Sequence, residues 1–392
     1  MTRVLSYGHI PDELVLLIFR LRDKNDSSFN HALVCKQWHQ MACLTQTAVS
    51  NHSGRRITIA ELLRSVSKFT NLTSLTIFGS RITDLGDCLL AGLGSVCPKL
   101  THLALDNQEE HFAITTAGLD ALFASCTGLQ SLSINILDEF LYDSFFSVSS
   151  LEVVELVDCK NLRNFPTYVF GLVRLERVLI QNCPKITSLP RSFGHLPSLR
   201  YLAIEECENI GRLPQSIGHL SSLERLDLCQ LEAFSVLPST IHMLSSLRAI
   251  VLRDCRNIFT RPEFSLHLHR CTGLQSLEFH WPANCSCEED RPGVTTMDEG
   301  LMYSLCRVSS LSTLLLFGFP TLSTIPEQLE NLSQLERLEL HSWPSLRSLP
   351  DSITKLSKLR TLVISGCPNF KDCAAVIRAL PNVSVNVLEG SN

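Results

Sequence analysis

The stretch that decides the fold runs from Leu175 to Ser246 and repeats itself every 24 residues. It reads LERVLIQNCPKITSLPRSFGHLPS, then LRYLAIEECENIGRLPQSIGHLSS, then LERLDLCQLEAFSVLPSTIHMLSS. Each copy opens with L-x-x-L-x-L, in which Val or Ile can take the later sites. Alternating apolar residues predict a short strand with one buried face, and the fixed period predicts that each strand packs against the next copy.

The same opening recurs on both sides of this stretch. Most steps between the starts are 24 residues, and the longest step is 37 residues, after Leu274. The twelve starts are Leu72, Leu100, Leu129, Leu151, Leu175, Leu199, Leu223, Leu247, Leu274, Leu311, Leu335 and Leu359. Such copies can bury their apolar side only against each other, so the pattern predicts an α/β solenoid over residues 71–370. It resembles leucine-rich repeats, whose parallel strands line the concave face of a horseshoe.

Cysteine and proline recur at fixed places in the repeat. The ninth residue, which faces inward in leucine-rich repeats, is Cys159, Cys183, Cys207, Cys255 and Cys367. The sixteenth residue is Pro166, Pro190, Pro214, Pro238, Pro262, Pro326 and Pro350, and a proline there is predicted to start a short convex turn. Phe319 and Trp343 occupy the ninth site of two later repeats and are predicted to be core residues. The LPxSIGxL motif resembles that of plant-type intracellular repeats. The first repeats are longer, and their length predicts helices on the convex side.

Three segments fall outside the regular period. Residues 46–70 are predicted to form a connecting helix, Ile59 to Phe69, and an N-terminal cap. Residues 281–300 are polar, contain two prolines and are predicted to be an exposed inserted loop. Residues 371–392 are predicted to cap the other end with a helix, Asp372 to Leu380, and an edge strand that begins at Val383.

The segment before the array, residues 8–45, predicts a separate helical domain. Ile10 to Leu44 reads IPDELVLLIFRLRDKNDSSFNHALVCKQWHQMACL. Its first helix is apolar around most of its circumference, so it must be buried on every side. About 35 residues cannot supply that much core, and the surplus apolar surface predicts a partner.

This segment resembles the F-box, on the strength of Ile10-Pro11 with Glu13-Leu14, Ile18-Phe19, and the run Leu33 to Trp38. The resemblance implies a substrate-recognition subunit of a Skp–cullin–F-box ubiquitin ligase, in which the F-box binds a Skp-type adaptor and, through it, a cullin. The implied adaptor-binding residues are Ile10, Pro11, Leu14, Ile18, Leu33, Val34 and Trp38. Cysteine-containing repeats like the first ones here are also common in F-box proteins.

The composition of the chain argues against some classes of binding partner. The chain has 392 residues, a formal net charge of −5 and no basic stripe, which argues against nucleic acid. No apolar run approaches about 18 residues, and the first residues lack a signal-peptide core, so no membrane partner is expected. The 16 cysteines follow the repeat rather than a disulfide framework. A cytoplasmic or nuclear location is therefore expected.

No catalytic, cofactor or metal motif is present, so the chain is expected not to be an enzyme and to need no cofactor. The set closest to a zinc site has the wrong spacing, because Cys-x-Cys is unlike structural zinc motifs. That set is His267, His269, Cys271, His280, Cys285 and Cys287.

The third, fifth and seventh residues of each repeat are predicted to point to the concave face, where a target protein of unknown identity would bind. The candidate substrate-binding residues at these positions are Tyr201, Arg225, Arg253, His280, Phe317, Arg337 and His341. Trp281 is added to them because it is predicted to lie beside the face, at the mouth of the insertion. Two alternatives stay open. The chain could be an interaction scaffold, related to plant defence or signalling, whose N-terminal helices only cap the array. It could also be a small-molecule sensor like plant hormone receptors.

Overall fold

The computed structural model describes residues 48–50, 58–78, 86–106, 114–134, 148–165, 171–259, 268–281, 294–371 and 378–388. The chain divides into two compact units after Asn135. The F-box-like domain predicted at residues 8–45 lies outside the described residues, and so do all seven of its adaptor-binding residues.

The first unit contains parallel strands in sequence order. They are β1 (Ala48–Ser50), β2 (Ser74–Phe78), β3 (His102–Asp106) and β4 (Ser131–Ile134). Its helices are α1 (Ile59–Val66), α2 (Asp87–Val96) and α3 (Thr116–Ser125). Thr58 and Glu61 form a capping box at the start of α1, which fixes the predicted connecting helix at that residue. The convex helices predicted for the first repeats are therefore present as α2 and α3.

The second unit continues the same pattern with ten described strands, which pair in parallel. The first five are β5 (Val153–Val157), β6 (Arg177–Gln181), β7 (Tyr201–Glu205), β8 (Arg225–Cys229) and β9 (Ala249–Arg253). The others are β10 (Ser276–His280), β11 (Thr313–Phe317), β12 (Arg337–His341), β13 (Thr361–Ser365) and β14 (Ser384–Leu388). The strands β2 to β13 each begin two residues after a predicted repeat start, which confirms the parallel leucine-rich-repeat sheet.

Short 3-10 turns replace helices on the far side of the later repeats. They begin directly after the prolines at the sixteenth position, as at Arg191–His195, Gln215–His219 and Ser239–Met243. The proline ring fixes φ near −65°, which places the preceding chain in an extended conformation and starts the turn. Pro166 and Pro262 lie outside the described residues.

The eighth residue of the repeat holds the chain in the left-handed region. Asp158, Asn182, Glu206, Gln230 and Asp254 have φ between 50° and 55°. The backbone N–H of the first four donates to the last carbonyl of the following strand, as from Glu206 to Cys229 at 3.0 Å and from Gln230 to Arg253 at 2.7 Å. This bond holds neighbouring repeats together at the point where each strand ends.

The inward ninth residue reaches back to the previous repeat. The Sγ atoms of Cys183, Cys207 and Cys255 donate to carbonyl oxygens 27 residues earlier, at 3.4–3.7 Å. Trp343 donates in the same way from Nε1 to the Leu316 carbonyl at 3.2 Å, and its side chain is fully buried. Phe319 is buried as well, so the prediction that these two aromatic residues belong to the core is confirmed.

The prediction of an inserted loop over residues 281–300 is wrong for the last part of this segment. The helix α4 occupies Val294–Leu305, and Leu301, Met302 and Leu305 on it are buried. Residues 282–293 lie outside the described residues. At the end of the array β14 pairs with β13, as predicted for the edge strand, while most of the predicted helix from Asp372 is outside the described part of the chain.

Candidate functional site

The side chains at the third, fifth and seventh positions of the strands form one face of the sheet in the second unit, which we call the open face. In β6 and β11 these positions are half-buried or exposed while the residues between them are buried. In β7, β8, β9 and β12 the residue at the fifth position is buried as well. Register pairing aligns each position with its equivalent on the next strand, so the side chains form continuous rows across the sheet. These rows are where a partner can be contacted.

Arginines on the open face stand over carboxylates that are largely hidden. Nε of Arg225 donates to both carboxylate oxygens of Asp227, at 2.9 and 3.0 Å. The Asp227 side chain is 7% exposed and that of Arg225 is 50% exposed. Arg337 and Glu339 repeat this arrangement on β12, with exposures of 54% and 8%. The surface that meets solvent is therefore rich in guanidinium donors, whose counter-charges lie beneath them.

A third arginine pairs across strands rather than along one. Arg253 on β9 donates from Nη2 to Glu278 on β10 at 2.9 Å. The same Glu278 oxygen lies 2.6 Å from Nε2 of His280. The hydrogen bond with His280 and the bond from Arg253 outweigh desolvation and lower the pKa of Glu278 to about 2. This carboxylate is therefore ionised and fixes both neighbours.

Three rings stack along the seventh-position row, and we call them the aromatic row. His280, Phe317 and His341 stand on β10, β11 and β12, with ring centroids 3.9 Å and 4.4 Å apart and planes within 7° of parallel. Nε2 of His341 lies 2.9 Å from Glu339, as His280 is held by Glu278. At Glu339, desolvation raises the pKa, but the hydrogen bonds from His341 and Arg337 prevail and lower it. Both imidazoles are thus fixed by carboxylates.

Tyr201 forms a second cluster at the third position. Its hydroxyl donates to Asp227 at 2.8 Å, and the Arg177 guanidinium carbon lies 4.6 Å from the centre of its ring. Desolvation, together with the hydrogen bond to Asp227, raises the pKa of Tyr201 to about 12. Arg225 approaches the other side of the cluster at 6.0 Å. Tyr201 is therefore a neutral ring held between two guanidinium groups.

The structure brings most of the predicted binding residues into these clusters, with one correction. His280, Phe317, Arg337 and His341 lie together, and Tyr201, Arg225 and Arg253 lie on the same face. Trp281, predicted to lie beside the face, is instead 6% exposed, and its ring is 5.5 Å from that of Phe319. It occupies the eighth position, where its backbone N–H donates to the Phe317 carbonyl at 2.7 Å and the side chain turns into the core.

The sequence placed the carboxylates Asp227, Glu278 and Glu339 on this face, but they were not selected as candidate binding residues. They were visible as acidic residues at the fifth position, two places from a basic residue on the same strand. Within the described residues, no group of three or more His, Cys, Asp and Glu side chains is placed to hold a metal ion. No described helix has the length and apolar character needed to cross a membrane.

Comparison with known proteins agrees with this geometry. A family model described as leucine-rich repeat region matches residues 128–365, more than half of the chain. The chain belongs to the leucine-rich repeat region family. Leucine-rich-repeat arrays of this kind are suited to protein–protein interaction, and the open face described above provides the surface. No curated protein matches the sequence.

Three solved structures serve as comparisons for their similarity to this one. The TLR13–ssRNA13 complex matches with a TM-score of 0.62 and 19% identity, over 89% of this chain and 52% of that chain. A leucine-rich-repeat protein of Leptospira interrogans matches with a TM-score of 0.43 and 16% identity, over 87% and 100%. An internalin of Listeria monocytogenes gives 0.44 and 15%, over 97% and 94%. At these identities the likeness concerns the fold alone, and the chain spans about half of the TLR13 chain.

Proposed function

We propose that this leucine-rich-repeat protein is the substrate-recruiting subunit of a cullin-type ubiquitin ligase. Residues 8–45 would bind a Skp-type adaptor, and the open face of the array would bind a target protein. The protein itself would catalyse no covalent reaction. It would hold the target near the conjugating enzyme and so raise the effective concentration of the target's lysines. Such a complex works in the cytoplasm or nucleus.

The observation that carries the target-binding part is the aromatic row with its flanking arginines. Aromatic and arginine side chains dominate the binding energy of protein interfaces. Here Phe317 is half-buried between two imidazoles, and Arg253 and Arg337 are held by carboxylates next to it. Side chains fixed in this way lose little rotamer entropy on binding, so more of the contact energy becomes affinity.

The observation that carries the ligase part is the sequence of residues 10–44. Leu14, Ile18 and Trp38 lie in two apolar helical patterns with more apolar surface than a segment of this length can bury by itself. Their order and spacing resemble those of the F-box. Nothing in the open face bears on this part, so it needs its own test.

The test is co-purification of the full chain with a Skp-type adaptor. Replacement of Leu14→Asp together with Ile18→Asp places two charges in the apolar helix and should abolish a stoichiometric complex. Ser27→Asp with Ser28→Asp adds the same charges in the polar turn and should leave the complex intact. Circular dichroism should show equal folding of all three proteins.

If the native chain does not bind the adaptor, the ligase proposal fails. Residues 8–45 would then be a cap, and the protein would be an interaction scaffold that acts through the open face alone. If the control variant also loses the complex, the binding does not depend on the apolar helix, and the assignment of Leu14 and Ile18 fails.

A further inference from the structure

The aromatic row ends differently on its two sides. Beyond His280, the seventh position of β9 is Arg253, whose guanidinium is held by Glu278. Beyond His341, the seventh position of β13 is Ser365, and that of β14 is Leu388. Serine carries no ring, so within the described residues of this row no side chain covers the outer face of the His341 imidazole.

The opening above Ser365 has the width of one aromatic ring. Neighbouring strands lie about 4.8 Å apart, so the side chains of His341 and Leu388, two strands apart, stand about 9.6 Å from each other. A ring placed above Ser365 would lie about 4.8 Å from each. The rings already in the row are 3.9 Å and 4.4 Å apart, which is close to the same spacing. We call this opening, formed by His341, Ser365 and Leu388, the ring slot.

Both walls of the ring slot suit an apolar planar group. Glu339 holds Nε2 of His341 at 2.9 Å, and Phe317 stacks on the inner face of the imidazole, so the outer face has a fixed orientation. On the other side Leu388 is 58% exposed, one of the few large apolar side chains that the described residues leave in solvent. A partner that covers Leu388 removes this apolar area from water, which favours binding.

We propose that the ring slot binds one aromatic side chain, Phe, Tyr or Trp, of the target polypeptide. The inserted ring extends the stack of His280, Phe317 and His341 by one member and packs its other face against Leu388. A parallel ring matches the spacing of the row, and offset stacking stabilises such pairs. An inserted guanidinium is disfavoured because Leu388 offers it no acceptor and its charge would lose water. The proposal rests on the proposed function only in that the ring comes from a bound protein.

The first test uses a small probe on the full chain. N-acetyl-L-phenylalaninamide is titrated into protein with ¹³C-labelled histidine, and the His341 ring signals are identified by their loss in His341→Gln. A ring stacked on the outer face should move these signals upfield in a saturable manner and should move those of His280 less. N-acetyl-L-leucinamide should cause a smaller shift, because it has no ring current.

The second test fills the slot from within the chain. Ser365→Phe should place a phenyl ring against His341, raise the midpoint of thermal unfolding by about 2 °C and abolish the probe-induced shift. Ser276→Phe is the matched control, because it adds the same ring to the same face between Ala249 and Thr313, where no ring is available for stacking. The control should not raise the midpoint and should leave the probe-induced shift in place.

Three outcomes would overturn the proposal. They are no shift of the His341 signals with the phenylalanine probe, an equal or larger response to N-acetyl-L-argininamide, or an unchanged probe response in Ser365→Phe. If Ser365→Phe does not fold, the titration of the native chain still decides. Failure here leaves adaptor binding untouched, whereas loss of adaptor binding leaves the ring slot untouched, so the two proposals are tested separately.

Discussion

Individual residues on the open face depend on buried charges beneath them. Asp227 and Glu339 are almost fully hidden, and each is met by an arginine on its own strand. Removing the arginine of such a pair leaves a buried carboxylate without its counter-charge, which costs more than the loss of a surface ion pair would. We therefore regard these carboxylates as the residues that position Arg225, Arg337 and His341, although a partner would hardly touch them.

Because of Glu278, the stability of the protein should fall at acidic pH. Its pKa in the folded protein, about 2, lies below the ordinary value of 4.5. A lowered pKa contributes stability that is complete above pH 4.5 and is lost as the pH falls towards 2. Glu278→Gln should unfold about 2 kcal/mol more easily at neutral pH, because it lacks the charge. Urea unfolding at a series of pH values measures this difference.

The difference between the two proteins should shrink as the pH approaches 2, because the protonated carboxyl resembles the amide. If the difference in free energy of unfolding stays constant from neutral pH down to about pH 2, Glu278 acts through packing and its charge contributes nothing.

At the residue scale, alternation in the sequence predicted which side chains share the open face, but it could not predict their partners. Arg225 turns along its own strand to Asp227, whereas Arg253 reaches across to Glu278. A long arginine side chain reaches both kinds of neighbour, and Arg253 has Val251 rather than a carboxylate two places before it on its own strand. Trp281 could not be placed in this way, because the eighth position of the repeat holds exposed residues such as Glu206 and Gln230 as well as this buried ring.

In the later repeats, successive 3-10 turns pack closely against each other because glycine stands at the point of contact. Gly194 and Gly218 occupy the same position in successive turns, and each faces the backbone of the following turn. A Cβ atom on Gly194 would lie 2.0 Å from the Ser216 carbonyl oxygen, and one on Gly218 would lie 2.5 Å from that of Thr240. Neither contact is possible, so a side chain there must push the turns apart.

Gly194→Ala and Gly218→Ala should therefore each lower the free energy of unfolding by about 2–3 kcal/mol. His242 is the matched control, since it stands at the equivalent position of the next turn and already carries a Cβ atom. His242→Ala should cost less than about 1 kcal/mol. Urea unfolding followed by circular dichroism compares the three. Equal losses would show that the turns are not closely stacked.

Regular elements could be predicted from the sequence wherever the period held. Strands β2 to β13 follow from the leucines. The three-residue strand β1 was not predicted, because it is too short to show alternation. The helix α4 was hidden in a polar insertion, although Leu301, Met302 and Leu305 have the spacing of a buried helical face and could have signalled it.

At the scale of the whole molecule, most cysteines in the part of the chain that the structure describes are packing residues. All eleven in the described ranges are free, and most are buried. Desolvation by burial is the largest cause that raises the pKa of Cys255 and Cys306 to about 12 each, so these thiols stay protonated and unreactive at neutral pH. Cys88 alone among the eleven is exposed.

Brief treatment of the native protein with iodoacetamide should therefore modify Cys88 well before Cys255 or Cys306. Peptide mass spectrometry measures the extent of labelling at each site. In urea the three should react at similar rates, which serves as the control. Early labelling of Cys255 in the native state would mean that the repeat around it opens readily.

For the molecule as a whole, the sequence predicted the fold far better than the function. Leucines at a fixed period determine a leucine-rich-repeat array almost by themselves. The partner depends on side chains such as Phe317 and Ser365, which the repeat leaves free to vary. The ring slot arises because a serine follows two histidines and a phenylalanine in one row, and strand register was needed to see that row.

The 24-residue spacing of β5 to β9 has a consequence for how such a protein can diverge. Loss of residues 199–222 by unequal recombination would join Ser198 to Leu223 without disturbing the phase of any later strand. The rows of the open face would nevertheless shift by one place, and Arg177 would become the neighbour of Arg225 where Tyr201 now separates them. A single genetic event could thus replace one set of surface neighbours with another while the architecture is inherited unchanged.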